Sequence, residues 1–310
     1  MFCSVVIPTI GRDTLAKAVA SVLAQGFPPE EVEIIIVNDS GQPGAEQLGP
    51  HAEQITWLTT NRRERCFARN TGAAVARGRY LIFLDDDDWL LPQALFHLKR
   101  LAQQAPQAVW LYGGIQVVDE AGHCLAEVNS GLQGNCLAPI MGGAWAPIQA
   151  SMIKTEAFFA VGGYNPAIIG TEDLDLCRRL ALTGDFANTG AAIGCLLRGT
   201  SWDTSTNYLR APADTLKSRE AVLSQPGAFR RCLSSTRDSY WSGRMLRVYL
   251  SLARYQWREK RYFLALGRSL ATLGWALVAG RRLLKADFWA GVKADHPPET
   301  LHFIMIDLER

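Results

Sequence analysis

The fold of this chain turns on Leu81-Ile82-Phe83-Leu84-Asp85-Asp86-Asp87-Asp88-Trp89, an apolar run that ends abruptly in four carboxylates. Tyr80 to Leu84 reads as a buried strand. Four adjacent acids cannot enter a core unless a cation or hydrogen-bond donors meet them. At the end of a buried strand they open into the crevice above the sheet edge, where α/β folds bind ligands. Alternation along an extended chain sets Asp85 and Asp87 on one side and Asp86 and Asp88 on the other. Two carboxylates on one side suit a hard divalent cation that also holds phosphate oxygens. The competing reading is a solvated acidic turn, with Asp88 capping a helix that begins near Leu91-Pro92.

Outward from this stretch the pattern is strand, helix, strand, connection, strand, helix, strand. Phe2 to Ile7 reads as the first strand, ended by Pro8-Thr9. Asp13 or Thr14 caps a helix to about Gln25, with Leu15, Ala18, Val19, Val22 and Leu23 in helical spacing. Val32 to Val37 and Ile55 to Thr59 are further strands. Glu64 to Ala76 is a helix with Gly78 as its terminator. The strands lack alternation, as expected when both faces are covered, so the pattern predicts a mostly parallel, Rossmann-like sheet flanked by helices.

Beyond the acids, Gln93 to Ala102 is a helix and Val109 to Val118 a strand, turned by Asp119-Glu120-Ala121-Gly122 towards Cys124-Leu125. Gly131 to Trp145, rich in Gly, Pro and Asn, is predicted as a mobile loop. Ile148 to Ile153 is a strand, Thr155 caps a short helix, Glu172 to Leu182 is a helix, and Ala191 to Leu197 is the last strand. Past residue 209 the strand signals vanish and helical periodicity takes over. The predicted organisation is a catalytic domain over 1–209 and a helical extension over 210–310.

Of 310 residues, 48% are hydrophobic, enough for a sizeable core. Lys+Arg 32 against Asp+Glu 30 argues against bulk nucleic-acid binding. The seven cysteines are scattered and none forms a C-x-x-C pair, so a reducing cytoplasm is the natural compartment. The first residues show no signal-peptide pattern. The longest late apolar stretch, Ser269 to Gly280, reads as too short to span a bilayer, which takes about 20 residues.

Three acidic positions could carry chemistry. Asp39 ends the second strand and Asp85 and Asp87 end the fourth, so all three open at one carboxyl edge. There Asp39 could accept from a base, Asp85 from ribose hydroxyls, and Asp87 could hold a cation bridging a diphosphate. Asp39 is also an ordinary turn aspartate. The third position, Glu172-Asp173, lies in the first turn of a helix, where the dipole alone favours acids. The functional alternative is a carboxylate acting as general base on an incoming hydroxyl.

Ser4-Val5-Val6-Ile7-Pro8-Thr9, Ile36-Val37-Asn38-Asp39-Ser40, Ala68-Arg69-Asn70-Thr71-Gly72, Phe83-Leu84-Asp85-Asp86-Asp87-Asp88, Gly162-Gly163-Tyr164 and Glu172-Asp173 together resemble the ordered motifs of family 2 glycosyltransferases, over roughly residues 1 to 200. The resemblance implies a glycosyltransferase A-type fold and inverting transfer from a nucleotide-diphosphate sugar, UDP-linked by preference, to a hydroxyl of a saccharide or lipid-linked acceptor. It implies Mg²⁺ or Mn²⁺ at Asp85 and Asp87, which match the Asp-x-Asp motif. Asp173, beside Glu172, matches the catalytic base. Pro8, Thr9, Arg12, Asp39, Arg69, Asn70 and Asp86 would line the nucleotide-sugar pocket, with Thr9 and Asp39 at the base.

Two departures stand out. Asn38 replaces a first Asp, and Leu197-Arg198-Gly199-Thr200-Ser201-Trp202 lacks the His many members carry, leaving Arg198 as a candidate phosphate clamp. Trp145 could stack on an acceptor sugar or serve as a partly buried loop anchor, and Tyr164 is a second candidate at the acceptor. Two other readings stay open: a nucleotidyltransferase, for which Thr9-Ile10-Gly11-Arg12-Asp13 is a poor phosphate loop, and a non-catalytic nucleotide-sugar-binding relative. The C-terminal helices are basic and aromatic. That suits either peripheral contact with the inner face of an anionic membrane or packing of their aromatics within the protein.

Overall fold

Apolar runs without alternation become the central strands: β1 (Cys3–Thr9), β2 (Val32–Asn38) and β4 (Tyr80–Phe83), with β3 (Ile55–Thr59) outside them. The computed structural model describes residues 1–42, 55–61, 64–198, 212–236 and 238–295. Among these, nine strands form one sheet. They run in the order β3-β2-β1-β4-β8-β6-β9-β5, with β7 on β6. The first four strands are parallel. Beyond β4 the sheet is mixed. β8 (Ser151–Lys154) runs antiparallel to both β4 and β6 (Trp110–Val118), β9 (Phe186–Leu197) is parallel to β6, and β7 (Cys124–Val128) is antiparallel to it.

Pro8 does not end β1, which runs on to Thr9. Val6 O accepts from Leu84 N on the β4 side and Thr9 O from Asp39 N on the β2 side. Alternate residues face alternate neighbours, so Pro8 faces the β4 side beyond its last pair, Val6 with Phe83. Its missing N–H costs no ladder bond there.

Helix α1 (Leu15–Leu23) buries Leu15, Ala18, Val19 and Val22, and Thr14 is its N-cap. Helix α2 (Arg65–Val75) starts at Glu64, whose carboxylate accepts from the N–H groups of Cys66 and Phe67. Gly78 is not the left-handed terminator expected. A Cβ there would lie 2.4 Å from Ser4 N, so glycine serves close passage of the chain over β1. Helix α3 (Ala94–Gln104) begins after Gln93 in a left-handed conformation, so Asp88 is not its cap. An unforeseen strand, β5 (Trp89–Leu90), lies between, antiparallel to β9.

The stretch from 131 to 145 is not a plain loop. It contains helix α4 (Leu137–Gly142), every residue of which is buried. After α5 (Thr155–Ala160) come α6 (Glu172–Thr183), α7 (Pro212–Leu223), α8 (Ala228–Ser235), α9 (Ser239–Arg258), α10 (Tyr262–Ala279) and α11 (Ala286–Lys293), with a 3₁₀ segment Gly280–Leu284 before the last. The expectation that no late stretch is long enough to span a bilayer is overturned: Tyr262–Leu284 has 23 residues and is long and apolar enough by length and composition. Arg268 interrupts the apolar run within it.

The chain groups into two units. The first comprises 1–134, 146–167 and 183–203 and carries the sheet. The second comprises 135–145, 168–182 and 204–310, so α4 and α6 group with the C-terminal helices.

Candidate functional site

Parallel pairing of β1, β2 and β4 brings their carboxyl ends to one edge of the first unit. There the loop after β1, Asp39 after β2 and the four aspartates after β4 meet. The acids do not alternate as in an extended chain. Asp88 N donates to Asp85 O at 3.1 Å, closing a turn. That turn places a carboxylate oxygen from each of Asp85, Asp87 and Asp88 within 4.8 Å of one another. Asp86 alone points away. Asp88, read from sequence as a cap, therefore joins the cluster. The signal available for it was the need to reverse the chain before Trp89.

Asp86 is buried and saturated. Its Oδ2 accepts from Thr9 Oγ1 at 2.6 Å and Ile10 N at 3.4 Å, and its Oδ1 from Arg12 Nη1 at 2.6 Å. Gly11 N donates to Thr9 Oγ1 at 2.9 Å. Asp86 thus fixes the loop following Pro8, and Thr9 and Arg12 spend polar atoms on it. Arg12 Nη1 also reaches Asp87 Oδ2 at 3.0 Å. Arg69, fully buried in α2, pairs with Asp85 Oδ1 at 2.7 Å. Asp88 Oδ1 accepts from Leu197 N at 3.1 Å.

Burial pushes the Asp85 carboxyl up, but the charges of Arg69, Arg65 and Arg12 outweigh it and hold it below its ordinary value. Burial and then the charge of Asp85 push Asp87 up to about 6, against Arg12. Burial, Asp85 and Asp87 drive Asp88 well above the carboxylate range, despite the Leu197 N–H and the Gln149 side chain. The cluster therefore gathers more carboxylates than its arginines can keep ionised together, a surplus of acidic groups. An all-oxygen donor set with that surplus fits a hard divalent cation.

Asp39 is buried, and its Oδ1 accepts from Thr60 Oγ1 at 3.2 Å. Asn38 Oδ1 accepts from Ser40 N at 3.0 Å and Ser40 Oγ at 2.6 Å, as an aspartate could, while its Nδ2 donates to Gln42 O, which an aspartate could not do. Asn70 exchanges hydrogen bonds with the Tyr164 backbone, Nδ2 to O and N to Oδ1, each at 2.9 Å. Gly163 permits this, because a Cβ there would lie 2.8 Å from Asn70 Oδ1. Tyr164 is buried, its ring 5.1 Å from that of Phe83 and under the Arg69 guanidinium. It braces Arg69 and offers no open face for a sugar. Arg198 follows β9, its N donating to Val118 O at 2.7 Å. Glu172, Asp173 and Trp145 belong to the second unit. Glu172 is buried, and Asp173 and Trp145 are half-buried.

The model of the family described as glycosyl transferase family 2 matches residues 4–125. Over residues 4–125 this chain is similar to the family 2 glycosyltransferases. The matched stretch includes Pro8, Thr9, Arg12, Asp39, Arg69, Asn70 and the four aspartates, whereas Trp145, Tyr164, Glu172, Asp173 and Arg198 lie beyond the match. Among relatives, a glycosyltransferase of Haemophilus influenzae is 23% identical over 180 residues, 57% of this chain and 61% of that protein. The poly(ribitol-phosphate) beta-N-acetylglucosaminyltransferase TarP of Staphylococcus aureus is 31% identical over 98 residues, 30% of either chain. The chain thus spans less than two thirds of these relatives. Among solved structures, S. aureus TarS 1–349 in complex with UDP-GlcNAc aligns with a TM-score of 0.62 at 14% identity, covering 92% of each chain. The likeness establishes the fold, glycosyltransferase A-type with C-terminal helices. It runs well past the stretch over 4–125.

Proposed function

We propose that this protein transfers a sugar, with inversion, from a nucleoside diphosphate sugar to a hydroxyl of a saccharide or lipid-linked acceptor. The observation that carries the reading is the cluster of Asp85, Asp87 and Asp88 beside Arg12 and Arg69, inside the stretch similar to family 2 glycosyltransferases. A uridine donor is favoured because the TarS structures include complexes with UDP-GlcNAc and UDP.

Asp85 and Asp87, with Asp88 behind them, would hold Mg²⁺ or Mn²⁺. When bound, that ion supplies Lewis-acid neutralisation of the diphosphate. The remaining work falls to the chain. Asp39 orients the base. Arg69, pinned by Asp85 and Tyr164, fixes the carboxylate that meets the donor. Asp86 keeps the Thr9–Arg12 loop in place. Asp173 takes the proton from the acceptor hydroxyl as that oxygen attacks the anomeric carbon. The bond to the diphosphate oxygen breaks on the opposite side, so configuration inverts.

The test is calorimetric titration with UDP, dTDP and GDP, with and without Mn²⁺, on the wild type, Asp87→Ala and Asp173→Asn. One diphosphate binds in a Mn²⁺-dependent manner to the wild type and to Asp173→Asn. Binding drops at least tenfold in Asp87→Ala, and Asp173→Asn loses transfer at least 100-fold. Failure of all three diphosphates to bind the wild type overturns the reading. Normal turnover by Asp173→Asn overturns the base.

A further inference from the structure

Helix α10 carries two opposed stripes. Ala265, Arg268, Thr272, Trp275 and Ala279 face inward: Trp275 Nε1 donates to Ser242 O at 2.9 Å, and Arg268 pairs with Glu220 at 2.8 Å. Phe263, Leu266, Leu270, Leu273 and Leu277 repeat the same three-and-four spacing two residues out of phase. At 3.6 residues per turn, two residues is about 200°, so they lie on the far face. They are between 59 and 94% exposed, and Leu284 beyond them is 87% exposed. A contiguous exposed apolar stripe of this length marks an interaction surface.

Its ends are cationic. Exposed Arg258, Lys260 and Arg261, with Glu259 among them, precede it, and Arg281, Arg282 and Lys285, with Asp287 beyond, follow it, so cations outnumber acids at each end. Lys260 to Ala286 contains no Asp or Glu. Trp257 and Tyr262 pack edge to face, with ring centroids 5.1 Å apart, at the first end, and half-exposed Trp289 lies near the second. Indole and phenol rings at the rim of an apolar face suit a lipid–water boundary.

We infer that α10 lies flat on an anionic lipid surface, with the Phe263–Leu277 stripe in the acyl boundary and the two basic ends on headgroup phosphates. It does not cross the bilayer, because Arg268 and Trp275 tie its other face to the second unit. A second copy of this chain is a poor occupant. Laid parallel or antiparallel on the stripe, it sets cationic ends against cationic ends.

The experiment is flotation of the full chain with vesicles of phosphatidylcholine alone or with 30% phosphatidylglycerol, at low and high salt. Phe263→Glu/Leu273→Glu is run beside it, both sites being exposed. The wild type floats with the anionic vesicles, at least tenfold more than with neutral ones and less at high salt. The double variant stays behind while keeping its thermal midpoint. Equal flotation of the variant, or none by the wild type, overturns the inference. So does lipid-free dimerisation in sedimentation that the double variant abolishes, which would make the stripe a protein interface. The readout does not depend on transfer activity.

Discussion

Glu33 and Asp88 are both buried carboxylates, and their surroundings drive them in opposite directions. Burial alone would raise Glu33. Hydrogen bonds from Ser4 Oγ at 2.6 Å, Arg77 N at 2.7 Å and Arg77 Nε at 2.9 Å outweigh it and hold Glu33 below its ordinary value. Glu33 begins β2 at the amino edge, where the chain has spent donors to keep a charge. Asp88 and Asp87 sit at the carboxyl edge, where donors fall short. That contrast separates a structural acid from acids kept for a ligand. A depressed acid stabilises the fold above its unfolded value, and the gain is lost as pH falls through the folded one. Glu33→Gln should therefore cost about 1–3 kcal/mol at pH 7, the penalty of stranding buried donors. The gap between variant and wild type should shrink as urea unfolding is repeated down to pH 3. A gap that does not change with pH would remove Glu33 from the acid response.

At the scale of elements, what the sequence shows depends on how local the cause is. β1 to β4 and α1 to α3 follow from apolar runs and periodicity that need no knowledge of partners. The acid turn was legible in position but not in conformation, since the reversal that brings Asp88 beside Asp85 answers to β5 pairing with β9 across more than a hundred residues. Helix α4 was hidden because Gly, Pro and Asn usually mean a loop. Here Gly142 is small to admit Trp241 and Arg244, and Arg244 Nε donates to Gly142 O at 2.8 Å. Glycine plays the same part where α9 meets α11. A Cβ on Gly243 would lie 1.9 Å from Phe288 O, and one on Gly291 2.2 Å from Tyr240 O. Gly243→Ala forces two backbones apart and should cost about 1–3 kcal/mol in denaturant unfolding. Gly267→Ala in α10, with nothing within 4 Å of the added carbon, should instead gain up to about 1 kcal/mol from helix propensity. Equal responses would mean that the α9–α11 contact leaves room for a methyl group.

For the whole molecule, chain order and spatial grouping part company. The change from strand to helix signals suggests that everything after residue 209 is an appendage. Yet 135–145 and 168–182 group with those helices. The ties are specific: Ala138 N donates to Ser235 Oγ at 2.8 Å, Arg178 Nη1 to Ser218 Oγ at 3.1 Å, and Arg231 Nε to Ala181 O at 2.8 Å. Leu137, Ile140 and Met141 of α4 are fully buried, and α6 hides Arg178 completely. Deleting 212–310 would strip cover from two helices the first 211 residues still contain. It would expose apolar side chains worth about 1.5–3 kcal/mol each when buried and leave Arg178 without its hydroxyl partner. Against a marginal total of about 5–15 kcal/mol, that loss is unaffordable for the fragment. Residues 1–211 should accordingly express as aggregate or melt without cooperativity, while the full chain unfolds in a sharp transition. A soluble 1–211 fragment that melts cooperatively would show that the sheet and its flanking helices need no help from the C-terminal helices. Because Asp173 sits on α6, which the sequence assigns to the domain over 1–209, the proposed base lies on a helix that groups with the C-terminal helices, and its placement should depend on them.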